Sequence, residues 1–145
     1  MYYIVYVSSA SKGFSEEELK KLSSVCQQHN NALHITGLLL FMEGNFIQVL
    51  EGEKEDVTGL YRKICEDASH HGIFKIIEGE MESRVFSKWS MGFYPVTSIR
   101  KEEIPGFTDI TSDEFINYLF CETHPSVKLL KSFYSMAQPY RFLAA

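Results

Sequence analysis

The sequence predicts an α+β fold: a ferredoxin-like βαββαββ sheet with two helices on one face and C-terminal helices on the other. Three observations predict it. A β-branched and aromatic segment opens the chain, two amphipathic helical stripes follow at intervals, and apolar runs are separated by turn residues. The 145 residues allow one domain with a modest appendage, which we place at 1–97 and 98–145.

The first strand is predicted over residues 2–9, which are rich in β-branched and aromatic side chains. Alternation places Ile4, Tyr6 and Ser8 on one face, with apolar residues on the other. We therefore expect a strand that is apolar on both faces.

The first helix is predicted to begin at a capping box formed by Ser15 and Glu18. Apolar residues then recur at helical spacing as far as His29. Asn30 and Asn31 are typical of a C-terminal cap, so we expect the helix to end there.

A hairpin and a second helix come next. The apolar runs 35–41 and 46–50 are separated by turn residues at 42–45, which predicts two antiparallel strands.

A second amphipathic helix is predicted after this hairpin, and it ends near Asp67. Its predicted buried stripe comprises Val57, Leu60, Tyr61, Ile64 and Cys65.

Two more strands are predicted at 73–81 and 89–96, and they complete the βαββαββ order. Because both helices lie on one face in this order, the other face needs a cover. Two short C-terminal helices, near 111–119 and 127–134 and separated by His124-Pro125, are predicted to supply it.

Composition and motifs exclude several classes of protein. A net charge of -5 with no run of Lys or Arg opposes nucleic-acid and anionic-membrane partners. The longest apolar stretches are too short to span a bilayer and the N-terminus has no basic signal, so we expect a cytoplasmic protein without a membrane partner. No hydrolase, phosphate-loop or dinucleotide motif occurs, which predicts that the chain is not an enzyme.

The cysteines do not indicate a metal site or a disulfide framework. Cys26, Cys65 and Cys121 are widely spaced and form no CxxC pattern. We expect them to be reduced and buried, and we predict no metal ligand among the His and Cys residues.

Two polar side chains stand out inside predicted strands. Gln48 lies in an apolar strand, with Phe46 and Leu50 on its face, so it is at an edge or is hydrogen-bonded to a side chain or a ligand. Tyr6 lies mid-strand and brings a hydroxyl into the interior, where it needs an acceptor. An ordinary core tyrosine would satisfy the same pattern.

Other candidates have simpler interpretations as well. Trp89 and Met91 share one face of the last strand and Ser90 the other, as in ordinary core packing. Charged and polar residues around the end of the second helix are typical of a solvated surface, but they would also suit the phosphate or sugar of a ligand. These residues are Lys63, Asp67, His70 and His71.

The combination of motifs resembles the BLUF family of flavin-using blue-light receptors. The resemblance covers about residues 2–97 and continues into short C-terminal helices like those of stand-alone members. Its motifs are Tyr6-Val7-Ser8, His29-Asn30, Ile35-Thr36-Gly37, the run FIQVLEG at 46–52, DASHH at 67–71 and RVFSKWSM at 84–91. The resemblance implies FAD, or alternatively FMN, held non-covalently with its isoalloxazine ring between the two helices.

The resemblance also implies roles for individual residues. Tyr6 would donate an electron and a proton to the excited flavin, and Gln48 would bridge Tyr6 to the ring. Trp89 and Met91 would complete the photoswitch. The implied cofactor-binding residues are Tyr6, His29, Asn30, Phe46, Gln48, Leu50, Lys63, Asp67, His70, Ser90 and Met91. The chain differs from the family pattern at Ser69, where arginine is common, which bears on the choice between FAD and FMN.

The resemblance also implies that the light signal passes through the last strand to the C-terminal helices. The signal would then change the association of a homo-oligomer, a dimer or larger, or the binding of a downstream protein. Two alternatives keep the fold but not the function. A non-photoactive ligand-binding or acylphosphatase-like domain is one, although residues 8–14 lack the arginine of a phosphate loop. A purely structural oligomerisation module is the other.

Overall fold

The computed structural model describes residues 1–11, 16–42, 44–68, 70–87, 92–96 and 123–137. The chain divides into two compact units, Met1–Thr108 and Asp109–Ala145, with the division after the predicted boundary at 97. The elements of the first unit are β1 (Tyr2–Ala10), α1 (Glu16–Ala32), β2 (Thr36–Met42), β3 (Asn45–Gly52), α2 (Lys54–Glu66), β4 (His70–Glu80) and β5 (Gly92–Val96). The second unit contains α3 (Pro125–Ala137). The capping box at Ser15 and the predicted helix at 111–119 lie outside the described residues.

The five strands form one sheet in the order β4-β1-β3-β2-β5. The first four are antiparallel to their neighbours, whereas β5 runs parallel to β2. Helix α1 joins β1 to β2 across β3, and α2 joins β3 to β4 across β1. This is the ferredoxin-like α+β arrangement that the sequence predicts.

Both helices pack on the same face of the sheet. One core cluster joins Tyr6 of β1 and Leu39 of β2 to Val57 and Leu60 of α2, and Leu22 of α1 packs against it. The opposite face of the central strands is buried as well. The period-two pattern therefore assigned the faces of β1 and β3 correctly.

Helix α1 ends two residues later than a cap at Asn30 would allow. The helix runs to Ala32, and the left-handed residue that stops it is His34, with φ 53°. The backbone N–H of Ile35 donates to the Asn30 carbonyl at 2.8 Å, and that of His34 donates to the Asn31 carbonyl at 3.2 Å. This is a Schellman motif, so Asn30 belongs to the last turn of the helix and its side chain is available to line a site.

Helix α3 begins at Pro125, a position where the missing proline N–H costs nothing. The His124 ring caps this end, because its Nδ1 lies 2.8 Å from the Ser126 hydroxyl and accepts the Ser126 backbone N–H at 3.2 Å. The predicted break at His124-Pro125 is thus the start of a helix. How the C-terminal helices are placed relative to the sheet stays a prediction.

A buried carboxylate fixes the segment that follows β4. Glu51 is 0% exposed and accepts hydrogen bonds from the backbone N–H groups of Val85 and Phe86, at 3.0 and 2.6 Å, and from the Thr36 hydroxyl at 2.7 Å. Arg84 donates to the Thr36 hydroxyl, the Glu51 carbonyl and the His34 carbonyl. This network holds residues 84–86 against the ends of β2 and β3.

Replacing Glu51 with alanine is expected to lower the free energy of unfolding by about 3 kcal/mol, because it leaves two backbone N–H groups and a hydroxyl buried without an acceptor. Glu53→Ala is the matched control, since that side chain is exposed and makes no capping hydrogen bond. Urea unfolding of both variants measures the difference. Equal losses of stability would show that the network contributes little.

Candidate functional site

A cavity of about 210 Å³ lies between α1 and α2, above the helix-bearing face of the sheet. Both helices and three central strands contribute to its walls. The lining residues are Tyr6, Leu22, Val25, Cys26, His29, Asn30, Leu39, Phe46, Gln48, Leu60, Lys63, Ile64 and Asp67.

Helical periodicity explains how two stretches of chain reach the same cavity. On α1 the lining side chains recur at intervals of three and four residues from Leu22 to Asn30. On α2 the same spacing runs from Leu60 to Asp67 at the C-terminal cap. Each helix therefore turns one stripe toward the other, with the sheet as the floor.

On this floor, Tyr6 and Gln48 are directly opposite each other in the antiparallel pair of β1 and β3. The Tyr6 hydroxyl donates a hydrogen bond to Oε1 of Gln48, and the two residues are 4% and 3% exposed. Since β3 lies between β1 and β2, Gln48 is not at a sheet edge. The predicted contact between these two polar groups is confirmed.

Burial keeps the Tyr6 phenol neutral. It raises the pKa of Tyr6 well above the usual value for tyrosine, and the nearby Cys26, Tyr61, Cys65 and Asp67 add to the effect electrostatically. A neutral phenol donates its proton, which leaves the Gln48 amide nitrogen with both N–H groups for other acceptors. The hydrogen bond fixes the orientation of the amide, because reversing the amide would put a donor where Tyr6 now finds an acceptor.

Behind Tyr6, away from the cavity, lies a second tyrosine. The ring of Tyr61 meets that of Tyr6 edge-on, with centroids 5.6 Å apart and planes at 61°. Burial and a hydrogen bond with Cys65 raise the pKa of Tyr61 to about 12, so both phenols are neutral at physiological pH. Edge-on packing limits the orientations open to the Tyr6 ring.

Asn30 presents a buried amide to the cavity. It is only 2% exposed and lines the cavity. An amide side chain carries two donors and an acceptor oxygen with two lone pairs. A ligand with polar atoms at this wall of the cavity would therefore meet both kinds of hydrogen-bonding group.

Charged groups are confined to the opening. His29, Lys63 and Asp67 line the cavity but are solvent-exposed. The interior thus combines apolar walls with three amides or hydroxyls, whereas the rim carries charges of both signs. This is the usual make-up of a site for a flat, polar-edged organic cofactor.

The remaining predicted site residues differ in where they lie. Phe46 is on the cavity wall, but Leu50 lies deeper, in the core cluster beneath it. His70 begins β4. Trp89, Ser90 and Met91 lie outside the described residues.

Six lining residues were not predicted as site residues: Leu22, Val25, Cys26, Leu39, Leu60 and Ile64. Their helical or alternating spacing was visible in the sequence, but such stripes are also typical of a core. Burial raises the pKa of Cys26 to about 11, so this thiol is a neutral part of the wall.

One expectation about the cysteines is wrong. Cys65, placed in the buried stripe of α2, is exposed, and Cys26 is only partly buried. Cys65 lies in the last turn of α2 and faces a second cavity of about 330 Å³, on the side of α2 toward Lys75 of β4. Cys121 lies outside the described residues.

In the part of the chain that the structure describes, no group of three His, Cys, Asp or Glu side chains is arranged to hold a metal ion. Over those same residues, no helix has the length and apolar character needed to cross a membrane.

Comparison with known proteins adds independent information. The family model described as sensors of blue-light using FAD, or BLUF, matches residues 1–92. The chain is 27% identical over 121 residues to the alpha subunit of a photoactivated adenylate cyclase from Euglena gracilis. That match covers 83% of this chain but 12% of the cyclase subunit.

Solved structures agree with the fold. A bacterial light-regulated adenylyl cyclase matches with a TM-score of 0.64 and 28% identity over 99% of this chain and 35% of that chain. The dark-state structure of BlrB, a BLUF protein, matches with a TM-score of 0.62 and 22% identity over 81% of this chain and 90% of that chain. The chain spans between 12% and 25% of the length of the first curated relatives, so the activities that their names describe belong to larger proteins.

Proposed function

Because this chain belongs to the BLUF family of blue-light sensors that use FAD, we propose that it is a blue-light photoreceptor built around the cavity between α1 and α2. The isoalloxazine ring of FAD, or alternatively FMN, binds there non-covalently. The observation that supports this most directly is the buried Tyr6–Gln48 hydrogen bond on the cavity floor.

The residues present fit such a ring. The cavity of about 210 Å³ is smaller than the roughly 300 to 1,000 Å³ that encloses a drug-sized ligand, so it suits the flat ring and leaves the rest of the cofactor outside. Asn30 supplies hydrogen bonds to the polar edge of the ring from the α1 side, and Gln48 does so from the sheet. Lys63 and Asp67 at the exposed rim, together with His70, would lie near the ribityl chain or the phosphate.

When bound, the flavin supplies absorption of blue light and, once excited, an oxidant beside Tyr6. Tyr6 would supply an electron and its phenolic proton to the excited ring and take both back from it, so no net chemistry would result. The Gln48 amide would rotate or tautomerise during this exchange, which would change its hydrogen bonds to Tyr6 and to the ring. The neutral phenol and the directional hydrogen bond from Tyr6 to Oε1 of Gln48 suit both roles.

One rearranged hydrogen bond does not account for a complete switch. It is worth about 1 kcal/mol, a roughly fivefold change in population, whereas going from 1:99 to 99:1 needs about 5.5 kcal/mol. We propose that the last strand supplies the further coupling. Tyr6, Gln48, Leu39 and Phe93 occupy successive positions in one row across β1, β3, β2 and β5.

We propose that the signal leaves through Trp89 or Met91 and β5 to the C-terminal helices. It is then read by a homo-oligomer or by a downstream protein partner. In this proposal the chain is a sensor and not an enzyme, and it acts in the cytoplasm. No observation favours the acylphosphatase-like alternative.

The purified protein is expected to carry a yellow, flavin-type absorption spectrum, and Asn30→Ala is expected to weaken flavin binding about tenfold because one buried amide contact is lost. Asn31→Ala is the matched control, because Asn31 is exposed on the next position of the helix. Fluorescence titration of flavin-free protein with FMN and with FAD measures both affinities. A colourless protein that takes up neither flavin would overturn the proposal.

A further inference from the structure

Strand β4 forms one edge of the sheet and is hydrogen-bonded only to β1 among the described strands. It carries two large apolar side chains that are unusually open to solvent: Phe74 is 66% and Ile76 38% exposed. An apolar sheet edge with an unpaired backbone is a template for pairing with another strand.

A bulge in β4 arranges its charges. The register pairs Tyr6 with Lys75 and Ile4 with Glu78. Tyr6 and Ile4 lie on the same face of β1, so Lys75 and Glu78 share a face although they are three residues apart. Ile76 is the extra residue that makes this possible.

The edge is therefore complementary to itself. A positive charge at Lys75 is followed on the same face by negative charges at Glu78 and Glu80. When two such strands run antiparallel, the positive position of one comes beside the negative positions of the other. Lysines and bulges usually protect an edge from pairing, but here they create a matching pattern of charge.

We infer that β4 pairs antiparallel with β4 of a second copy of this chain about a two-fold axis, joining two sheets into one. In the register that the charges favour, Lys75 lies opposite Glu78 of the partner subunit. Phe74 then lies opposite Gly79 of the partner subunit, which has no side chain and is covered by the ring of Tyr3 of the partner subunit. Both contacts occur twice by symmetry.

This inference rests on the self-association that the proposed function includes, but not on flavin binding or photochemistry. Lys75 and Glu78 already form an ion pair at 3.1 Å within one chain, and Tyr2 also hydrogen-bonds to Glu78. A carboxylate offers about four lone-pair sites, so the partner's Lys75 adds to these contacts without displacing them.

Charge reversal in the full chain tests the inference. Lys75→Glu makes position 75 repel Glu78 of the partner subunit, and Glu78→Lys makes position 78 repel Lys75 of the partner subunit. Each variant alone is expected to raise the dimer dissociation constant at least about tenfold, and an equimolar mixture of the two is expected to restore dimers. Within one chain, Lys75→Glu has two negative charges at positions 75 and 78, and Glu78→Lys has two positive charges there. Opposite charges therefore meet only between the two different chains, so pairing between chains explains why the mixture dimerises. Analytical ultracentrifugation in the dark measures the three samples against the unchanged protein.

Lys21→Glu and Glu17→Lys on the exposed surface of α1 are the matched controls, and they should leave the dissociation constant unchanged. Phe74→Ser provides a second variant, expected to weaken the dimer without reversing a charge. A wild-type chain that is monomeric at about 100 µM, single variants that dimerise normally, or a mixture no more dimeric than its components would each overturn the inference. The flavin absorption of the same samples reports on the proposed function separately.

Discussion

We expect Gln48→Leu to retain bound flavin but to lose the light-induced shift of the flavin absorption bands. This is the largest effect that we expect from a single substitution. Leucine fills a similar space on the cavity floor. It has no amide group, however, so it cannot present first an acceptor and then a donor to Tyr6. The absorbance of the flavin-bound variant before and during blue illumination is the measurement. The buried phenol also loses its acceptor, which is expected to cost about 1 to 2 kcal/mol of stability.

Gln28→Leu is the matched control for this variant. Gln28 is exposed on α1 and does not line the cavity, so the shift should persist. A Gln48→Leu protein that binds flavin and shifts normally in the light would contradict the role assigned to the amide.

Replacing Tyr6 with phenylalanine is the second large effect, and it is expected to abolish the normal photocycle while flavin remains bound. The ring and its packing against Tyr61 are retained, but the phenolic proton and the readily oxidised hydroxyl-bearing ring are lost. Unfolding free energy should fall by only about 1 to 2 kcal/mol, from the unpaired Gln48 oxygen. Transient absorption after a blue flash, with urea unfolding alongside, separates the loss of function from a loss of fold.

Tyr3→Phe gives the matched control on the same strand. Tyr3 is buried on the opposite face of β1, so removing its hydroxyl should leave the photocycle intact. If Tyr6→Phe completed an ordinary photocycle, some other residue would have to supply the electron and the proton.

Short-range periodicity explains why the centre of the site was predictable. Alternation shows which residues of one strand share a face: Tyr6 with Ile4 and Ser8, and Gln48 with Phe46 and Leu50. The ferredoxin-like order makes β1 and β3 neighbours, so each of the two polar groups was a candidate partner for the other. The register that sets them directly opposite each other came from the structure.

Features that depend on distant parts of the chain were not predictable in this way. The partners of Glu51 are 34 and 35 residues away at Val85 and Phe86, and no local pattern shows that these groups meet. The bulge at Ile76 is imposed by the register with β1. His34 ends α1 in a left-handed conformation that asparagine or glycine would have made recognisable.

Most of the apolar residues that line the cavity could not be predicted from local spacing either. Val25 and Cys26 on α1, and Leu60 and Ile64 on α2, follow the spacing of any buried stripe, so the sequence does not distinguish a wall facing a ligand from a wall facing the core. Cys65 illustrates the opposite error: it fits the stripe of α2 but lies in its last turn, exposed beside the second cavity.

The most direct test of the central claim is the difference between the absorbance spectra of the flavin-bound protein in the dark and under blue light. If the Tyr6–Gln48 pair rearranges its hydrogen bonds beside the ring, the flavin bands shift to a new position on illumination and return in the dark, without loss of flavin. Bands that stay unmoved under light, in protein that holds its flavin and is folded, would contradict the claim.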